Sequence, residues 1–156
     1  MNTTPPRHSV SVSGVIPDDH GRVLLIRRRD NQHWEPPGGV LELDEAIHDG
    51  LRREIREETG LDTEPDTLTG VYKNMPRGII ALVFRCKITG GHLTANDEAT
   101  AFHWADQADI RQLTSEAYAI RLLDALREGT TPAVRQHDGT ELLGLGTAYA
   151  ALRCRI

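Results

Sequence analysis

Between Gly38 and Leu61 the chain combines two adjacent glycines, an amphipathic helix and a knot of glutamates near the end of that helix. Ala46, Ile47, Leu51 and Ile55 recur at helical spacing, Asp44 is placed to cap the start, and Gly60 is placed to end it. At about 100° per residue, Glu58 falls about 40° to one side of Glu54 and Glu57 about 60° to the other. Three carboxylates therefore share a narrow face at the negative end of the helix dipole, where repulsion and dipole both oppose them. Two arrangements relieve the conflict. One is a hard divalent cation with oxygen ligands, Mg²⁺ or Mn²⁺. The other is a solvated acidic face balanced by Arg52, Arg53 and Arg56.

The wider pattern is glycine, five residues, Glu, seven residues, then Arg-Glu-aliphatic-any-Glu-Glu-any-Gly-aliphatic, filled by Gly39, Glu45, Arg53, Glu54, Ile55, Glu57, Glu58, Gly60 and Leu61. It resembles the signature of the Nudix hydrolase family at every defined position. Trp34-Glu35-Pro36-Pro37-Gly38-Gly39 is similar to the Trp-x-x-Pro-Gly-Gly lead-in common in that family, and the order of elements extends the likeness to residues 8–127.

The resemblance implies an α/β fold, a mixed β-sheet sandwiched between helices. It also implies a metal-dependent enzyme that cleaves a diphosphate linkage in a nucleoside diphosphate joined to another group. Glu54, Glu57 and Glu58 would be ligands of Mg²⁺ or Mn²⁺, together with the carbonyl of Gly39. Glu57, Glu58, Arg53 and Glu98 would form the catalytic machinery, and Glu45 would hold Arg53 in orientation. Glu98 enters because many members carry a Glu in the loop before an aromatic-bearing strand, and it stands six residues before Trp104; Asp97 is the competing loop acid.

Small members of the family often cleave nucleoside triphosphates, and these are the substrates expected first. Pro76, fifteen residues past Leu61, resembles a marker of the ADP-ribose-cleaving branch, so ADP-ribose or another nucleotide sugar is the alternative. A nucleotide-sensing domain without turnover is a third possibility, against which the complete set of acids argues.

The rest of the chain fits one domain of 156 residues, with residues 1–7 a flexible tail and 129–156 an extension that docks on the domain, extends a sheet edge or pairs with a second subunit in a homodimer. No long apolar run and no signal-peptide core are present, which points to a cytoplasmic protein with no membrane partner. A net charge of −5 argues against a nucleic-acid polymer but not against a small-molecule nucleotide. Cys86 lies in an apolar strand, in a context unlike that of Cys154, and reads as a buried thiol.

Strands are expected at His8–Ile16 and Val23–Ile26, paired as a hairpin, with Arg27, Arg28 and Arg29 continuing the second. One of those arginines either faces substrate phosphates or ends the strand in solvent. Pro65 and Asp66 read as a turn, Gly70–Tyr72 as the start of a strand, Ile79–Ile88 as a central strand turned by Thr89-Gly90-Gly91, and Ala101–Trp104 as the last strand. Ser115–Arg127 reads as an amphipathic helix, and Gly50 as a site of close packing between the earlier helix and a strand.

Overall fold

The computed structural model describes residues 4–144. Cys154, the turn at Gly144–Gly146 past its first residue and the apolar segment Ala148–Leu152 lie outside the described residues. The elements run β1 (Ser9–Val15), β2 (Val23–Arg28), β3 (Trp34–Glu35), β4 (Gly38–Val40), α1 (Ile47–Thr59), β5 (Leu61–Asn74) and β6 (Ile79–Gly91). They continue with β7 (Ala99–Ala105), α2 (Gln107–Leu113), α3 (Glu116–Leu126), β8 (Ala133–His137) and β9 (Leu142–Leu143).

One sheet has the order β4-β1-β6-β5-β8-β9 and the other β3-β2-β7. The larger is mixed: β1 runs parallel to β6 and β5 parallel to β8, while β4 and β9 pair antiparallel.

Strand periodicity divides the core. On β6, Ala81 and Val83 face one way, joining Tyr72, Ile120 and Leu122 on the α3 side. Phe84 and Cys86 face the other way, joining Leu51 and Ile55 of α1. Adjacent residues of β2 divide likewise, Val23 and Leu25 to one cluster and Leu24 to the other. The sheet is thus covered on both faces, and β6 is central as its apolar run requires. Leu51 and Ile55 are fully buried, contributing about 1.5–3 kcal/mol each, and this packing sets a rotation of α1 that buries Glu58 beside them and leaves Glu57 exposed.

Several expectations are corrected. β1 and β2 do not form a hairpin: they belong to different sheets, joined only by a Pro17–Val23 bridge. Parallel pairing with β6 offers β1 seven register positions, far more than a hairpin bridge does. Pro65 and Asp66 lie inside β5 rather than in a turn; register shifts between Pro65 and Thr67 absorb the proline, at a point where β5 pairs only with β6. β6 likewise runs through Thr89 and Gly90 to Gly91, and β7 is followed by two further strands.

Asp44 is not the N-cap of α1. Ala46 is, with no side-chain cap, because the chain makes a separate turn first, closed by the Glu42 amide donating to the Glu45 carboxylate at 2.9 Å. Gly60 does end α1, at φ 79°. Gly50 is required by that preceding turn and not by a strand: a Cβ there would lie 2.6 Å from the Glu45 carboxylate and from Leu41.

Of the three roles open to the C-terminal extension, its described part extends a sheet edge. β8 lies along β5, and Arg135 donates both Nε and Nη2 to buried Asp124 at 2.7 Å, where the Tyr72 hydroxyl also donates at 2.7 Å. Among the described residues, no helix is long and apolar enough to cross a membrane.

Candidate active site

The end of α1 meets β4 and the loop before β7. Glu58 is 2% exposed, and its carboxylate accepts the Gly38 amide at 2.7 Å. Burial pushes its carboxyl up to about 8, with the charges of Glu54 and Glu35 adding to the rise. Burial also raises Glu54, against the pull of Arg53 and with a further push from Glu57 and Glu98. These acids are therefore close enough to feel one another, as the helical spacing requires.

Arg53 is the brace. Its Nε and Nη2 donate to Glu45 at 2.9 and 2.7 Å, and its Nη1 donates to Glu54 at 2.9 Å and Glu57 at 3.2 Å. Glu45 precedes the helix, and the Arg53 hydrogen bonds hold its carboxyl down at about 2. Arg52 and Arg56 turn away, to Asp49 with Glu64 and to Asp62, so only one of the three arginines balances the acidic face. Among the described residues, no three acids, histidines or cysteines converge as a closed ligand set; the Arg53 guanidinium lies across Glu54 and Glu57 instead.

The glycines have distinct duties. A Cβ on Gly38 would lie 2.1 Å from the Val12 carbonyl, against main chain. One on Gly39 would lie 2.4 Å from the Glu54 carboxylate, against a side-chain end. Gly38→Ala is expected to unfold or strongly destabilise the protein. Gly39→Ala should keep the fold and displace Glu54, lowering kcat by about 10²-fold, the scale of a misplaced catalytic group. Circular dichroism with a turnover assay on the two variants checks the contrast.

Glu98 and Asp97 are both exposed and line one hollow. Asp97 lies 4.0 Å from Arg29, whereas the charge of Glu98 reaches Glu54. Asn96 fixes this loop: its Nδ2 donates to the Glu58 carbonyl at 2.6 Å, and its Oδ1 accepts the Glu98 and Ala99 amides at 2.9 Å. Nothing in the spacing of the sequence marked Asn96. A hollow of about 310 Å³, lined by Arg28, Arg29, Asp30, Glu58, Asp97 and Glu98, opens here.

On the other side of Gly38 and Gly39 lies a cleft of about 370 Å³. Ser9, Ser11 and Ser13 of β1 line it, and Tyr118, Arg121 and His137 stand at its inner end. The serines alternate with Val10 and Val12, so their period of two was visible, though only the valines suggested a buried face. Arg28 lines both hollows and is tied to Asp30 and Glu35, so it is neither free in solvent nor unpaired. Trp34 packs against the core, edge-on to His103. Cys86 is buried, and desolvation pushes its thiol up to about 12, well away from a nucleophile's range.

Residues 7–126 match the family model of the NUDIX domain. A MutT-like protein of Streptomyces ambofaciens is 56% identical over 144 residues, covering 92% of this chain and 93% of its own. An ADP-ribose pyrophosphatase of Methanocaldococcus jannaschii is 37% identical over 112 residues, 67% of this chain and 66% of its own. The crystal structure of an ADP-ribose pyrophosphatase from Streptococcus suis has a TM-score of 0.70 at 22% identity, over 82% of this chain and 99% of that one, a likeness of fold. With the glycine pair seated against the acids of α1 and a family model spanning most of the chain, helix, loop and sheet have one common origin: the chain belongs to the Nudix family of hydrolases.

Proposed function

We propose that the protein hydrolyses a diphosphate linkage in a nucleoside diphosphate joined to another group, depending on Mg²⁺ or Mn²⁺, with nucleoside triphosphates as its first substrates. The observation that carries this reading is the pair Glu54 and Glu58, mutually repelling and drawn out of solvent, with the bare backbone of Gly39 against the Glu54 carboxylate. A buried carboxyl of this kind takes up either a proton or a cation. The donors are all oxygen, which suits a hard divalent ion.

Glu54, Glu57, Glu58 and the Gly39 carbonyl would hold the ion. Bound there, it would neutralise phosphoryl oxygens and make a water acidic enough to attack. Arg53, clamped by Glu45, keeps Glu54 and Glu57 from swinging apart. Glu98, held near Glu54 by the Asn96 loop, accepts the proton of the attacking water or serves as a further ligand.

Glu98→Gln is expected to lower kcat by about 10²-fold or more, the scale of general-base catalysis, with far less effect on binding of a non-hydrolysable analogue. Asp97→Asn should be nearly silent, since that side chain stands in solvent. The opposite order would move the role to Asp97.

ADP-ribose is the second reading. It draws on the archaeal relative's name and on Pro76, whose loop supplies Arg77 to the cleft beside Asn74 at the end of β5. A panel of nucleoside triphosphates, nucleoside diphosphates and ADP-ribose, assayed with Mg²⁺, Mn²⁺ and chelator, ranks the substrates. Turnover undiminished by chelator, or none on any compound, would sink the proposal.

A further inference from the structure

The inner end of the cleft holds charges that hydrolysis does not use. Arg121 is 7% exposed; its Nη2 lies 3.1 Å from His137 Nε2, and its Nε has no partner among the described residues. Tyr72 and Tyr118 flank it, with ring centroids 5.4 and 4.8 Å from Cζ. The acid in its field, Glu35, is committed elsewhere, to Arg28 at 3.1 Å and to the Tyr118 hydroxyl.

His137 is itself a compromised partner. Its Nδ1 faces the Gly139 amide at 3.0 Å while Nε2 faces Arg121. A neutral imidazole has one acceptor nitrogen, so one of those two contacts sets donor against donor. Desolvation accordingly holds Arg121 below the ordinary guanidinium range. A buried, under-satisfied donor lining a cleft is a group that a ligand completes.

Resting on the nucleotide reading above, we infer that Arg121 reads the nucleobase and selects a 6-oxopurine, guanine or hypoxanthine, over adenine. A guanidinium is a planar fork of donors with no acceptor. Guanine and hypoxanthine present it with two adjacent acceptors, O6 and N7, whereas adenine sets its N6 amino donor against the fork. The two tyrosine rings restrict the guanidinium plane, which makes the fork selective. Glu35, a carboxylate that also lines the cleft, repels a phosphate. The phosphate end is assigned to the acids of α1, where the proposed ion would sit, while Gly39, the serines of β1 and Arg121 line one cleft.

Calorimetric titration of GMP and of AMP into the full chain without divalent ion tests the base site alone, and kcat/KM for GTP and ATP with Mg²⁺ tests it in turnover. GMP is expected to bind on the order of 10-fold or more tightly than AMP, with the same preference for GTP appearing in KM rather than kcat. Arg121→Met should erase the preference by weakening the guanine ligand. Arg121→Lys, which keeps the charge and loses the fork, should erase it too and serves if the Met variant does not fold. Equal or tighter AMP binding by the wild type, no binding of either at millimolar concentration, or variants that weaken both ligands alike would overturn the assignment. Guanine preference in binding without hydrolysis of any nucleotide would leave the base site standing and remove the catalytic reading; hydrolysis without preference would do the reverse.

Discussion

Glu58→Gln is expected to cost turnover on the order of 10²-fold or more while leaving the metal-free protein as stable as the wild type, or more so. The amide oxygen still accepts the Gly38 N–H, so the geometry of β4 against α1 persists. What disappears is the charge, and with it a proposed ligand; even partners of ligands are worth 10- to 100-fold. The stability arm follows from the direction of the shift. The Glu58 carboxyl rises in the folded protein from 4.5 to about 8, so its contribution is fully present below about 4.5 and is lost as pH rises through about 8. The two proteins should therefore melt alike at about pH 4, and the variant should be the more stable at about pH 9. Thermal melts in chelator at both pH values, beside kcat/KM, check the pair of outcomes. A variant that loses stability and activity together would make Glu58 a structural residue only.

The second large effect is that of the ion on the fold. A cation that binds the native state alone stabilises it by about 2.7 kcal/mol at 100 times its Kd. At about 2–4 °C per kcal/mol for a protein of this size, Mg²⁺ or Mn²⁺ should raise Tm by about 5–10 °C over the chelated protein. Glu54→Gln and Glu58→Gln should lose most of that rise, and Asp97→Asn should keep it. An equal rise in all of them would place the ion elsewhere.

What could be foreseen from the sequence divides along a physical line. The face of α1 is a local property, fixed by spacing within a few residues, and the structure does crowd Glu54 and Glu58 there; the link of Arg53 to Glu45, which the family resemblance implied and spacing did not, is also present. The central position of Ile79–Ile88 and the limits of α3 were equally local, set by apolar runs and by Ser115. Errors arose where long-range pairing outweighed local preference. Pro65 and Asp66 have turn chemistry, yet β6 supplies enough ladder to carry them as strand. α2 went unseen because it is short, although Asp106 and Asp109 form its capping box at the usual spacing. The base end of the cleft was out of reach altogether. Glu35, Tyr118, Arg121 and His137 come from β3, α3 and β8, and spacing along the chain connects only Tyr118 and Arg121, three residues apart on α3.

The parallel placement of β8 beside β5 also imposes an order of events on a chain made from its N-terminus. By residue 126 the strands from β1 to β7 and the helices α1 to α3 have been synthesised, the span of the family match. The outer edge of β5 at Gly70–Asn74 is nevertheless still open, and buried Asp124 still awaits its bidentate partner. Both are completed only when Arg135 emerges, and the ring that faces Arg121 only with His137. The helix that carries the glutamates is thus finished before Arg135 and His137, which complete the sheet edge and the cleft, have been made.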